Sequence, residues 1–269
     1  MASQQSYPSN VQLPRKLQRP QYLEVPTQNI AAIDPELSHV PVDYVRRGLK
    51  NQANQMFAGI AAIQLPSTMH RSQLHHTQTL TIPIRPSGPS SSYPTHILAL
   101  SRSSTSSDSQ LTLVATHALI LASNCASLPR LPPSPQSYGA TASLTLPVLP
   151  LTIPAPAAFP PLHTFLYTHS APQLLSALIP AIPASFLSTL TSSQALRATL
   201  SSGPALHTLS AHLMSSAPGM GALTSVAQNI AAVWRNAVAL GVHDPELWHC
   251  LDLAWEVILG AMNLGAGAR

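Results

Sequence analysis

Proline is the residue that most limits what this chain can build. There are 27 prolines in 269 residues, about twice the usual share of roughly 5%. Each removes a backbone N–H and fixes φ, so it ends a helix or a ladder unless it sits in a first turn or beside an unpaired strand edge. Between Leu131 and Leu196, twelve of them interrupt a run that contains no Asp, Glu, Lys or Arg. That run is apolar enough to suggest a membrane span, but no window of about 20 residues within it could form an unbroken spanning helix. The spacing predicts short elements joined by irregular connections in a soluble protein.

The charge pattern narrows the chemistry. Only 8% of residues are charged, against roughly 25% in an average soluble protein, while 45% are hydrophobic, enough for a sizeable core. The net charge of +4 and the pI near 9.4 reflect a shortage of acids. The cations are scattered, with Arg46, Arg47 and Lys50 the densest group, and there is no basic block interleaved with aromatics. No carboxylate lies between Asp108 and Asp244. The middle of the chain therefore lacks a local acid/base pair, a carboxylate metal ligand and the acid of a catalytic triad. Cys125 and Cys250 are the only cysteines. They imply no disulfide framework and read as small buried hydrophobes in a reducing compartment. The N-terminus shows no apolar signal region, so an intracellular location is expected, with nucleus and cytoplasm undistinguished.

Five regions follow from local pattern. Residues 1–33, polar and rich in Gln and Pro, are expected to be disordered or loosely laid on the surface. Residues 34–65 hold an N-terminal helix, opened by Asp34-Pro35-Glu36-Leu37 with Asp as N-cap and Pro in the first turn. Residues 66–93 form a connector with one strand from 79 to 84. Residues 94–183 alternate strands and helices, with Leu111, Leu113 and Ala115 on one strand face and Pro147 and Pro150 placing a later strand at a sheet edge. Turn-rich loops are expected at 86–94, 101–109 and 129–138. Residues 184–269 are helical. Leu223, Val226, Ile230, Val233, Trp234 and Val238 make one stripe there, and Leu247, Leu251, Trp255, Ile258 and Met262 make another behind a second Asp-Pro-Glu-Leu at 244–247.

Few side chains point to chemistry. His70, His75 and His76 lie in a loop with no Cys or acid beside them. His207 and His212 are five apart rather than the four of a helical zinc pair. No metal and no cofactor is expected. The sequence has no Gly-x-Ser-x-Gly elbow and no glycine-rich phosphate loop. An enzyme would have to draw on His243, Asp244 and Asp252. Trp234, Trp248 and Trp255 are either core residues or partner-binding anchors, since large aromatics dominate binding hot spots. His117 stands at a strand-to-helix junction without any acid nearby, which favours a structural role.

Two resemblances rest on these segments. Val114-Ala115-Thr116-His117-Ala118-Leu119-Ile120-Leu121-Ala122-Ser123, followed by a proline-spaced strand and then Phe159, Leu162, Phe165, Leu166, Tyr167 and Thr168, is similar to the centre of a BTB/POZ domain. That likeness implies a small sheet capped by helices, partner docking or a homodimer, and a structural junction of His117, Phe165 and Tyr167. Residues 149–167 and 226–264, including Gln228-Asn229-Ile230-Ala231-Ala232-Val233-Trp234-Arg235-Asn236, resemble the clampless-type proteins of mushroom-forming and smut fungi. This second resemblance implies a developmental regulator downstream of mating-type control, needed for clamp-cell formation and dikaryotic growth, with no catalytic residues.

The resulting expectation is an α+β protein: a BTB/POZ-like sheet capped by helices, then a C-terminal helical region. It would act through protein partners, without enzymatic activity and without a membrane. The alternative is a DNA-associated regulatory factor using the scattered positive charge.

Overall fold

The computed structural model describes residues 14–74, 76–85, 92–103, 110–133 and 142–267. Much of each of the three expected loops, and the whole of His75, lie outside these residues. The first elements are α1 (Thr27–Ala31), a single 3-10 turn at Pro35–Leu37 and α2 (Val42–Ala61). Asp34 accepts from the Glu36 N–H at 3.0 Å, but the helix it was expected to open stops after one turn. Pro41 is the reason. It disfavours helical backbone at Val40 and itself precedes α2 as the N-cap residue. α2 then buries Val45, Leu49, Ala53 and Met56 along one face.

The sheet contains β1 (Thr68–His70), β2 (Thr79–Pro83), β3 (His96–Ser101), β4 (Gln110–Thr116) and β5 (Ser143–Thr152). A one-turn helix, α3 (Arg71–Leu74), follows β1, and α4 (Ala118–Asn124) follows β4. The strand order is β1-β4-β3-β5-β2. β3 pairs antiparallel with β4 and parallel with β5. β3 is buried on both faces: Ile97 and Ala99 join a cluster with Ile82, Leu111, Leu113, Ala115 and Leu146, while Leu98 and Leu100 face the helices. β1 lies in the stretch read as connector, since three residues are too few to show a period.

β5 corrects one expectation. It is internal to the strand order, although Pro147 and Pro150 argued for an edge. Its first half, Ser143 to Pro147, pairs with β2, and its second half, Val148 to Thr152, pairs with β3. Each half thus carries its registered ladder on one side only, which gives the prolines a flank where no N–H is required.

The remaining chain is helical: α5 (Phe159–Thr168), α6 (Ala171–Leu178), α7 (Ala184–Leu187), α8 (Ser193–Leu200), α9 (Gly203–Ser216), α10 (Met220–Leu240) and α11 (Pro245–Gly267). Within the expected helical region, α7 and α8 are separate helices, because the Ser192 hydroxyl accepts from the Ala195 N–H at 3.2 Å and starts a new one. α11 buries residues around most of its girth, among them Leu247, Trp248, Cys250, Leu251, Leu253, Ala254, Trp255 and Ile258, and so forms the axis of the helical region. Asn236 on α10 joins that region to the end of β5. Its side chain accepts from the Ala155 N–H at 2.9 Å and donates to the Ala155 carbonyl at 2.7 Å. No described helix is long and apolar enough to cross a membrane.

Residues 14–33 are the largest departure. Expected to be disordered or loose, they include α1 and, ahead of it, an extended segment in which Val25 is buried and Leu17 joins the main core. Local composition carries no trace of this, because residues 14–23 bond to side chains more than two hundred positions away and α1 packs on α4.

Candidate functional site

Two places gather the side chains that sequence reasoning singled out. The first is the junction between β4 and α4. His117 precedes α4, and the cap for that helix comes from a neighbouring segment: the Thr95 hydroxyl accepts from the Ala118 N–H at 2.7 Å. Tyr167, on α5, reaches the same point. Its hydroxyl oxygen accepts from the His117 backbone N–H at 3.0 Å and pairs with His117 Nδ1 at 2.9 Å. His117 Nε2 lies 3.4 Å from the Ser92 carbonyl. With Nε2 donating there, Nδ1 is left to accept from the tyrosine O–H. The Thr116 hydroxyl lies 3.3 Å from the same phenol and 3.1 Å from His163 Nε2. His163 stands one helical turn before Tyr167, on the same face of α5.

These groups are buried and uncharged near neutral pH. Burial pushes the His117 imidazole down to about 4, against the pull of the Ser92 and Tyr93 carbonyls. Burial, with His117 beside it, lowers His163 to about 4 as well. Burial pushes the Tyr167 phenol up to about 12. A closed network of this kind fixes the strand–helix crossing. Phe165, grouped with His117 and Tyr167 on sequence, is not part of it. Two residues earlier on the helix, it turns to another face, where its ring lies 5.5 Å from that of His169. Thr95 and His163 were missed, and only the four-residue spacing of His163 and Tyr167 could have signalled one of them.

The second place is the surface of α10 and α11, where the three tryptophans lie. Trp248 is buried and donates to the Val242 carbonyl at 3.1 Å. Trp255 is 1% exposed and donates to the Pro14 carbonyl at 3.1 Å. Both indoles are enclosed in the folded chain, Trp248 within the core and Trp255 with its N–H turned to residue 14. Trp234 is partly exposed and donates to the Gln18 carbonyl at 3.0 Å.

The charged and titratable candidates are spread among separate structural contacts. Asp244 caps α11, accepting from the Glu246 and Leu247 N–H groups at 2.7 and 3.1 Å, while its other oxygen meets His169 Nδ1 at 2.7 Å. Burial acts to raise that carboxyl, but the His169 contact and the two amides outweigh it and hold it below its ordinary value. His243 meets the Tyr22 ring and the Leu23 N–H. Asp252 pairs with Arg19. The three residues named for an enzyme site therefore face different partners. In the basic cluster, Arg46 donates to the Ser123 carbonyl at 2.7 Å, Arg47 stacks over the Tyr44 ring and Lys50 donates to the His169 carbonyl at 3.4 Å. His70 bonds Ser72, and His212 lies 3.1 Å from the Ala181 carbonyl. Among the described residues, no three His, Cys, Asp or Glu side chains converge as they would around a metal. Both cysteines are fully buried, and burial raises Cys125 to about 12 and Cys250 well above the ordinary thiol range.

Comparison with known proteins covers most of this architecture. A family model described as the Clampless protein 1 N-terminal domain matches residues 20–154, and one described as the Clampless protein 1 C-terminal domain matches residues 172–269. The first match takes in the sheet, and the second begins within α6 and holds α7 to α11. No curated protein and no solved structure matches the chain.

Proposed function

The chain belongs to the clampless protein 1 family, and from that premise we propose that it is a non-enzymatic protein-interaction regulator of fungal sexual development, serving clamp-cell formation and dikaryotic growth. One observation supports the interaction part of this reading. Among the described residues, the side chains best suited to catalysis are held in separate contacts: His117 and His163 with Tyr167 and Thr116, Asp244 with His169, His243 with the Leu23 N–H, and Asp252 with Arg19. Residues 94–183 serve in this proposal as a BTB-like interaction module inside the cell. The order of strand, His117-led helix, strand and Tyr167-bearing helix is what supports that role.

The test has a genetic and a biochemical arm. A strain lacking the protein is expected to form no normal clamps, and the intact chain is expected to capture a reproducible partner set from dikaryotic hyphae. Normal clamps in that strain would overturn the developmental reading. Capture no better than an unrelated bait would overturn the interaction reading.

A further inference from the structure

Residues 14–25 cross the outer face of α10 and α11 as an extended strap with neither helix nor strand in it. Among the described residues, no backbone–backbone hydrogen bond holds them. Side chains of the helical region hold them instead, mainly by their backbone. Trp255 and Trp234 donate to the carbonyls of Pro14 and Gln18, and His243 Nε2 accepts from the Leu23 N–H at 3.2 Å. Between these points Leu17 is 7% exposed, within the main core, and Arg19 pairs with Asp252. Beyond them Tyr22 and Leu23 stand out at 71% and 52% exposure.

This is the chemistry of a peptide-reading groove. Indole N–H groups aimed at the carbonyls of an extended, proline-spaced chain are a recurring way to recognise such segments, because the chain arrives with its own amide partners unused and little freedom left to lose. Pro14, Pro20 and Pro26 keep the strap in that state. A pocket for one leucine and a carboxylate two residues on add sequence preference. The strap is also a weakly held element, with a few contacts and no ladder.

We propose that the α10–α11 face beneath residues 14–25 is a docking groove for an extended, basic and apolar peptide of a partner protein, of the form Pro-x-x-Leu-x-Arg, and that the chain's own strap fills it until displaced. The inference rests on the interaction reading above and names its surface. A tethered occupant competes at high effective concentration, so the intact chain binds an incoming peptide only in the fraction of molecules whose strap is released.

The test uses the full-length chain and a fluorescein-labelled peptide with the sequence of residues 14–25. Anisotropy titrations are compared for the unaltered protein and for variants with a weakened strap, Arg19→Ser alone and Leu17→Ser with Arg19→Ser, each checked for unchanged circular dichroism. The weakened chains are expected to bind at least about tenfold more tightly. Adding Asp252→Asn is expected to reverse most of that gain. Equal affinity in all chains, or no binding to a folded strap variant, would overturn the groove. So would a dimer seen by light scattering without peptide binding, which would make a second copy the occupant. If Asp252→Asn and strap variants keep the partner set captured from hyphae while the peptide fails to bind, the groove falls and the interaction reading stands.

Discussion

Acidification tests the buried junction most directly. His117 and His163 are both held at about 4 in the folded chain, against about 6.5 for an exposed imidazole. As pH falls below 6.5 the unfolded chain takes up protons first, so folding loses free energy through each group until pH passes the folded value. Their stabilising effect is therefore complete above about pH 6.5 and lost as pH falls towards 4. Between pH 7.5 and 5.0 the linkage relation gives about 2 kcal/mol for each histidine, or about 4 kcal/mol for the pair. That is a large part of the roughly 5–15 kcal/mol that holds a typical domain. The assay is urea unfolding followed by tryptophan fluorescence at pH 7.5, 6.5 and 5.0, on the native chain and on His117→Asn with His163→Gln. The double variant starts less stable but should lose about 4 kcal/mol less on acidification. His96, His243 and His249 are also lowered by burial, but they remain in both proteins and cancel from the difference. Equal losses in the two proteins would refute the argument, because the slope would then come from elsewhere.

Three further outcomes follow from the packing. Asn236→Leu leaves the Ala155 N–H without a partner in the core, while its carbonyl keeps only the Ala158 N–H, and should destabilise the fold by about 1–3 kcal/mol, measured by the same unfolding curves. Gly260→Ala would drive a methyl onto the Ser210 side chain, which donates to the Val257 carbonyl, and crowd the α9–α11 contact at a cost of about 1–3 kcal/mol. A melting temperature unchanged from the native chain would contradict that close approach. Cys125 and Cys250, buried and with raised pKa values, should resist a thiol reagent in native buffer and react in denaturant. Rapid native labelling of both would show that the helical region opens far more readily than its packing implies.

Local pattern was sufficient where the physics is local. The helical character of α10 and α11, the shared face of Leu111, Leu113 and Ala115, and the division between a sheet and a helical region all follow from the periods of apolar residues. The meeting of His117 with Tyr167 lies beyond local pattern, because fifty residues separate them and no spacing rule spans that distance.

Position in space was decided only by the tertiary structure. The same Asp-Pro-Glu-Leu opens one 3-10 turn at 34–37 and a 23-residue helix at 244–247. Both aspartates cap, but Pro41 blocks the first helix, whereas an apolar stripe that the core can bury carries the second onward. The tryptophans looked alike as helical aromatics, yet Trp248 and Trp255 are core while Trp234 is partly exposed. The strap at residues 14–25 is the extreme case. Its polar, proline-spaced sequence has no period to read, and its order comes from Trp234, His243, Asp252 and Trp255. A segment with no structural preference of its own takes the shape of the surface that can satisfy its backbone, and that surface exists only once the rest of the chain has folded.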